Sequence, residues 1–157
     1  MKTHLIIVDM QPNFLAARKE ETIDNVIREI QLAKERDAHI FLVEFSGCGK
    51  THKRIRKVLP LFSRKKTRVL KHNMGGGLEI LDRAKKRSIT LDRARVVGVN
   101  TDECVATTVA ELAQARPDMH LELVEDACNS NNSRPSVFQD IFVSGNQPPN
   151  VSVWEAG

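Results

Sequence analysis

Val96-Val-Gly-Val-Asn-Thr-Asp-Glu-Cys-Val-Ala-Thr-Thr108 is the stretch whose reading decides the fold. Val96–Val99 is a short apolar run, Asn100–Glu103 is a polar turn, and Val105, Thr108, Val109, Leu112 and Ala113 then recur at helical spacing. The pattern predicts a buried strand, a tight turn and a helix whose apolar face packs back on the strand. Cys104 stands at the first turn of that helix. Backbone N–H groups and the positive end of a helix dipole favour a thiolate there, so the thiol is expected to have a lowered pKa and to act as a nucleophile.

Working outward, similar apolar runs occur at Leu5–Val8, Ile40–Val43, Val69–Leu70, Leu121–Val124 and Val151–Trp154, with helical patterns between most of them. Strands alternating with helices imply an α/β domain with a parallel sheet. In the first helix Ile23, Val26, Ile27 and Ile30 share one face, and Glu29, Lys34, Glu35 and Arg36 are expected outside that stripe. Ile55, Val58, Leu59 and Phe62 suggest a short helix that Pro60 interrupts, while Asn129–Ser133 and Gln147–Asn150 read as loops. Right-handed crossovers gather the loops at the carboxyl ends of the strands on one edge, where ligands usually bind. Asp9, Lys71 and Cys104 all leave strands at that edge.

Composition narrows the class. The 157 residues suit a single domain, with 41% hydrophobic and 28% charged residues and no apolar run long enough to cross a bilayer. The opening Met-Lys-Thr-His leads directly into a strand without a signal-peptide core, so a cytoplasmic protein is expected. Three cysteines, Cys48, Cys104 and Cys128, lack the number and spacing of a disulfide framework. Between Phe45 and Leu78 lie ten Lys or Arg residues and no Asp or Glu, a block able to attract nucleic acid, an anionic ligand or an acidic partner, or to form a solvated face.

The Val96–Thr108 segment, together with Leu5-Ile-Ile-Val-Asp-Met-Gln-Pro-Asn-Phe14 and Val69-Leu-Lys71, resembles the isochorismatase-like cysteine hydrolases, a superfamily that includes nicotinamidases. The resemblance implies one domain over 1–157, built as a three-layer sandwich in which helices flank a six-stranded, mostly parallel sheet of order 3-2-1-4-5-6. It also implies a catalytic triad of Asp9, Lys71 and Cys104. Asp9 would take the thiol proton, Lys71 would hold the charges, and Cys104 would attack a carbonyl. Backbone N–H groups of Asn100 and Cys104 would receive the oxyanion, beside a cis peptide between Val99 and Asn100. Phe14 and Gln11 would contact substrate, and Asp126 matches a further family position read as structural. The expected reaction is hydrolysis of an amide, carbamoyl or ureido C–N bond through a thioester, without a cofactor, on a small molecule, in a homo-oligomer.

Departures from the family pattern bear on substrate. Nicotinamidases hold a metal through an Asp-x-His pair and a further His; the corresponding Glu44-Phe-Ser-Gly-Cys-Gly-Lys-Thr-His52 lacks that spacing, so no metal site is expected. Cys48 and His52 could share a helical face, but two ligands make a poor site. Gly47-Cys-Gly-Lys-Thr51 lacks the first glycine of a phosphate-binding loop, with Glu44 in its place. His72-Asn-Met-Gly-Gly-Gly77 replaces the small and aromatic residues that follow the family lysine. With 4% aromatic residues, an aromatic pocket requires Phe14, Phe45 and Trp154 to converge. Two alternatives therefore accompany the main reading: a nicotinamidase, and a catalytically silent module binding nucleic acid or an acidic partner.

Overall fold

The computed structural model describes residues 2–131 and 147–155. Six strands, β1 (His4–Val8), β2 (Ile40–Phe45), β3 (Lys66–Lys71), β4 (Arg93–Val99), β5 (His120–Asn129) and β6 (Val151–Trp154), form one sheet of order β3-β2-β1-β4-β5-β6. Every pairing is parallel. The order is that implied by the resemblance. All six apolar runs are strands, and β5 extends past Glu125 through Asp126 to Asn129, so Asn129 ends a strand instead of opening a loop. Asn132 and Ser133, expected in the same loop, lie outside the described residues.

Among the described residues four α-helices lie between strands: α1 (Glu20–Glu35), α2 (Lys53–Val58), α3 (Gly77–Lys86) and α4 (Ala106–Ala115). Alternation along the strands divides the core in two. Ile6, Val8, Phe41 and Val43 face α3 and α4, where Ile80, Ala84, Val109 and Leu112 meet them. Leu5, Ile7, Ile40 and Leu42 face α1 and α2, against Ile23, Val26, Ile30 and Ile55. β1 is sealed along its whole length, as a central parallel strand must be, and each of its large apolar side chains contributes about 1.5–3 kcal/mol by leaving water. Pro60 ends α2 two residues early, leaving Leu61 and Phe62 exposed.

Glu29 corrects the reading of α1. It is fully buried, not outside the packed stripe, because it meets Arg95 of β4 at 2.7 Å and Arg28 at 3.1 Å. Arg28 in turn grips Asp126 with two 2.7 Å hydrogen bonds, so Asp126 carries the structural role anticipated for it. The Trp154 ring lies within cation–π distance of the same two guanidinium groups, 5.2 Å from Arg28 and 5.1 Å from Arg95. It therefore does not join Phe14 and Phe45, which lie 6.3 Å apart elsewhere.

Gly98 sets the spacing between β4 and β1. Its φ is +125°, and a Cβ there would sit 2.0 Å from the Val8 carbonyl oxygen, so only glycine lets the strands approach this closely next to the site. The β4–β5 register shifts between Val96 and Gly98, an irregularity just before the strand ends at Val99.

Candidate active site

Asp9 follows β1 with φ +52°, a left-handed conformation that Asp tolerates better than most residues. Its N–H bonds the Val43 carbonyl at 3.0 Å, and the Gln11 N–H folds back on its carbonyl at 2.7 Å, so the side chain is fixed at the sheet edge. Lys71 ends β3 and is fully buried. It crosses in front of β2 to place Nζ 2.9 Å from Asp9 Oδ2, and it lies 4.2 Å over the Phe45 ring. Nζ also donates to the carbonyls of Asn73 at 3.1 Å and Met74 at 2.7 Å.

The glycine-rich turn after Lys71 makes this possible. Gly76 N–H donates to Thr108 Oγ1 at 3.0 Å and Gly77 N–H to Glu111 Oε1 at 2.9 Å, tying the loop to α4. A Cβ at Gly77 would stand 2.7 Å from the Glu111 Cβ and 3.1 Å from the Leu112 nitrogen. The same helix carries the Cys104 turn, so the lysine and the cysteine share one support.

Cys104 lies in a single wide π-turn, Thr101–Val105, that precedes α4. Such turns are frequent at functional positions. Val105 N–H bonds the Asn100 carbonyl at 3.1 Å, and the Val99–Asn100 peptide is cis. Val105, Thr108, Val109, Leu112 and Ala113 are all buried as their spacing predicts, so the base of the turn is rigid.

Electrostatics overturn one expectation. The Cys104 thiol is not acidified; burial first, then the neighbouring Asp9 charge, push it up to about 11, against the opposing pull of Lys71. Burial also raises Asp9, with Lys71 and the thiol opposing the rise. Both shifts place the proton on sulfur in the resting protein and make Asp9 a stronger base than an exposed carboxylate. Lys71 and the Cys104 thiol both hydrogen-bond the Asp9 carboxylate, which sets the base beside the sulfur proton.

Of the other sequence candidates, Phe14 is half-buried against Phe45 beside this cluster. Gln11 is wholly buried, and its amide is engaged by the main chain: Nε2 donates to the carbonyls of Phe45 (2.9 Å) and Gly49 (2.7 Å), while Oε1 accepts from Phe45 N–H (2.8 Å). Asn100 is buried, with Oδ1 accepting from Asn131 N–H at 3.1 Å. Phe45, Thr108 and Glu111 were not singled out as site supports. The register pairing of Phe45 with Lys71 could have revealed the first, whereas nothing local marks Glu111.

The Glu44–His52 segment is occupied by internal contacts. Glu44 accepts from Thr51 N–H and Oγ1, each at 2.7 Å, and from Arg68 Nε at 2.5 Å. His52 Nδ1 caps α2 by accepting from Arg54 N–H at 3.1 Å, and Cys48 precedes the helix, so the two do not share a helical face. Among the described residues no three His, Cys, Asp or Glu side chains gather as metal ligands, and no helix is long and apolar enough to cross a membrane. The basic block is partly compensated across the fold: Arg54 pairs with Glu20 and Asp24, Lys65 with Asp37, and Lys71 with Asp9.

Comparison with known proteins agrees with this geometry. The Isochorismatase domain family profile matches residues 3–139. Solved structures with a similar fold include a nicotinamidase from Staphylococcus aureus (TM-score 0.75, 17% identity, 98% of this chain and 100% of that one). Another is N-carbamoylsarcosine amidase from Thermoplasma acidophilum (TM-score 0.70, 20% identity, 98% and 95%). A third is a ribonuclease from Caenorhabditis elegans (TM-score 0.75, 19% identity, 92% and 74%). No curated protein sequence matches the chain significantly. The profile match over most of the chain and the shared sheet order establish that this protein belongs to the isochorismatase family and has its hydrolase fold.

Proposed function

We propose that the protein hydrolyses a C–N bond of a small amide, carbamoyl or ureido compound, with Cys104 as nucleophile, Asp9 as proton carrier and Lys71 as their electrostatic anchor. The buried Lys71–Asp9 pair beside an uncharged Cys104 thiol carries the reading. Because the thiol is held protonated and Asp9 is made more basic, proton transfer accompanies attack instead of preceding it.

Asp9 takes the thiol proton as Sγ bonds to the carbonyl carbon, and the carbonyl π-electrons move to oxygen. The N–H groups of Asn100 and Cys104 are the proposed oxyanion donors; one such donor lowers the barrier by about 3–4 kcal/mol. Collapse breaks the C–N bond, Asp9 returns the proton to the departing nitrogen, and a thioester remains. Water, deprotonated by Asp9, then attacks the thioester; the acid leaves and the thiol is restored. Lys71 keeps Asp9 oriented throughout. Phe14 forms an apolar wall, and Gln11 supports that wall from behind through Phe45.

Ammonia release from a panel that includes nicotinamide and N-carbamoyl amino acids, with intact-mass analysis during turnover, tests the proposal. An acyl adduct confined to Cys104 and a folded but inactive Cys104→Ala variant are expected. Unchanged turnover in Cys104→Ala would remove the mechanism. Selective turnover of nicotinamide would narrow the function to a nicotinamidase. The reading as a silent nucleic-acid-binding module draws on the basic block and is weakened by the carboxylates that hold Arg54 and Lys65.

A further inference from the structure

On the α1/α2 side of the sheet, β3 is an edge strand beside the six-residue α2, and a cavity of about 520 Å³ opens there. Its position follows from strand alternation. Leu42 and Glu44 of β2 and Lys66 and Arg68 of β3 all face this side, with Leu42 in register with Arg68 and Ile40 with Lys66. α2 overhangs with Arg56 and Leu59, Lys50 closes one end from the preceding loop, and Arg87 reaches round from the end of α3. None of Asp9, Lys71 or Cys104 lines it.

The lining sets five cations against one carboxylate. Glu44 is already committed: it is buried, its oxygens are held by Thr51 and Arg68, and the Arg68 guanidinium and Thr51 donors keep its carboxyl below the usual range despite burial. Elsewhere in the basic block Arg54 and Lys65 find carboxylates on neighbouring elements, but Lys50, Arg56 and Lys66 form no ion pair among the described residues. Clustered like charges destabilise the folded state unless an anion compensates them. The floor is different in character, because Leu42 and Leu59 are buried apolar side chains at its base.

We infer that this cavity is a binding site for a small organic phosphate, whose phosphate lies among Lys50, Lys66 and Arg68 and whose apolar body rests on Leu42 and Leu59. Guanidinium and ammonium groups give charge-assisted hydrogen bonds to phosphate oxygens, and the volume falls in the range of pockets that enclose ligands of nucleotide size. The cavity is bounded by α2, the Lys50 loop and Arg87, which suits a discrete ligand better than a continuous nucleic-acid strand. Free nucleotides, sugar phosphates with an apolar aglycone and similar esters share this chemistry.

Calorimetric titration of the full chain with ADP and with inorganic pyrophosphate tests the site, with amide NMR shift mapping to locate the ligand. One ADP should bind per chain, more tightly than pyrophosphate, with shifts centred on Leu42, Lys66 and Leu59 and affinity falling as salt rises. Lys50→Ala/Lys66→Ala should weaken ADP about tenfold or more, whereas Lys53→Ala/Lys57→Ala, on exposed positions of α2 outside the lining, should not. Neither double variant touches the Cys104 cluster, so amide turnover should be unchanged in both, and failure of one proposal leaves the other standing. Absence of saturable ADP binding at millimolar concentration overturns the inference. So does equal affinity for pyrophosphate, or binding only of long single-stranded RNA that both double variants weaken alike.

Discussion

Lys71 Nζ and Asp9 Oδ2 meet at 2.9 Å with both side chains shut off from water, although their strands are separated by β2. Removing one member of such a pair leaves an uncompensated buried charge, a loss of about 3–5 kcal/mol, whereas removing both charges together can be nearly neutral. Lys71→Met should therefore lower unfolding free energy in urea by that amount, and Asp9→Asn/Lys71→Met should recover most of it. Turnover should stay absent in both. Additive losses in the double variant would show that the pair is not coupled.

Cys104 titration separates the roles of its neighbours. Thiolate absorbance should place its midpoint near 11 in the native protein. Asp9→Asn removes a charge that raises the thiol, so the midpoint should fall even as turnover is lost; Lys71→Ala should move it higher. A Cys104 that titrates near neutrality in the native protein would contradict the placement of the proton on sulfur.

At the opposite edge of the sheet His39 is held neutral. Its Nδ1 lies 3.1 Å from the Arg64 carbonyl, which can only accept, so Nε2 accepts from the Thr67 hydroxyl at 2.6 Å, and Arg87 donates to that hydroxyl at 2.7 Å. Burial, with Arg87 second, lowers the His39 pKa from 6.5 to about 4, and burial lowers His4 as well. A depressed folded-state pKa contributes stability that is full above about 6.5 and lost as pH falls toward 4; for His39 this is at most about 3 kcal/mol. Urea midpoints should decline across that window, and His39→Gln should flatten the decline. A wild-type profile that is flat between those pH values would refute the assignment.

Two glycines should respond differently to the same substitution. Gly98→Ala drives a Cβ into the Val8 backbone and should destabilise by about 3 kcal/mol or more, with loss of activity through the displaced Asn100. Gly47 also has positive φ, at +81°, but faces open space, so Gly47→Ala should lose only about 1 kcal/mol. Thermal denaturation of the two variants gives the comparison. Similar losses would mean that strand spacing at Gly98 is not under steric control.

What the sequence by itself determined was local. Apolar runs and the spacing of Ile23, Val26 and Ile30, or of Val105, Val109 and Leu112, marked strands and helix faces, because burial on one face imposes a period that adjacent residues must obey. The carboxyl-end placement of Asp9, Lys71 and Cys104 followed once the strands alternated with helices. Only the tertiary structure decided the charges. Cys104 is raised instead of lowered because solvent exclusion and Asp9, distant in the chain, outweigh the helix terminus. Glu29 is buried because Arg95 arrives from another strand, Gln11 ties a loop because Phe45 lies opposite, and the basic block splits into paired cations and a cationic cavity. Solvation and Coulomb energies depend on distances through space, and a periodic pattern along the chain carries no record of them.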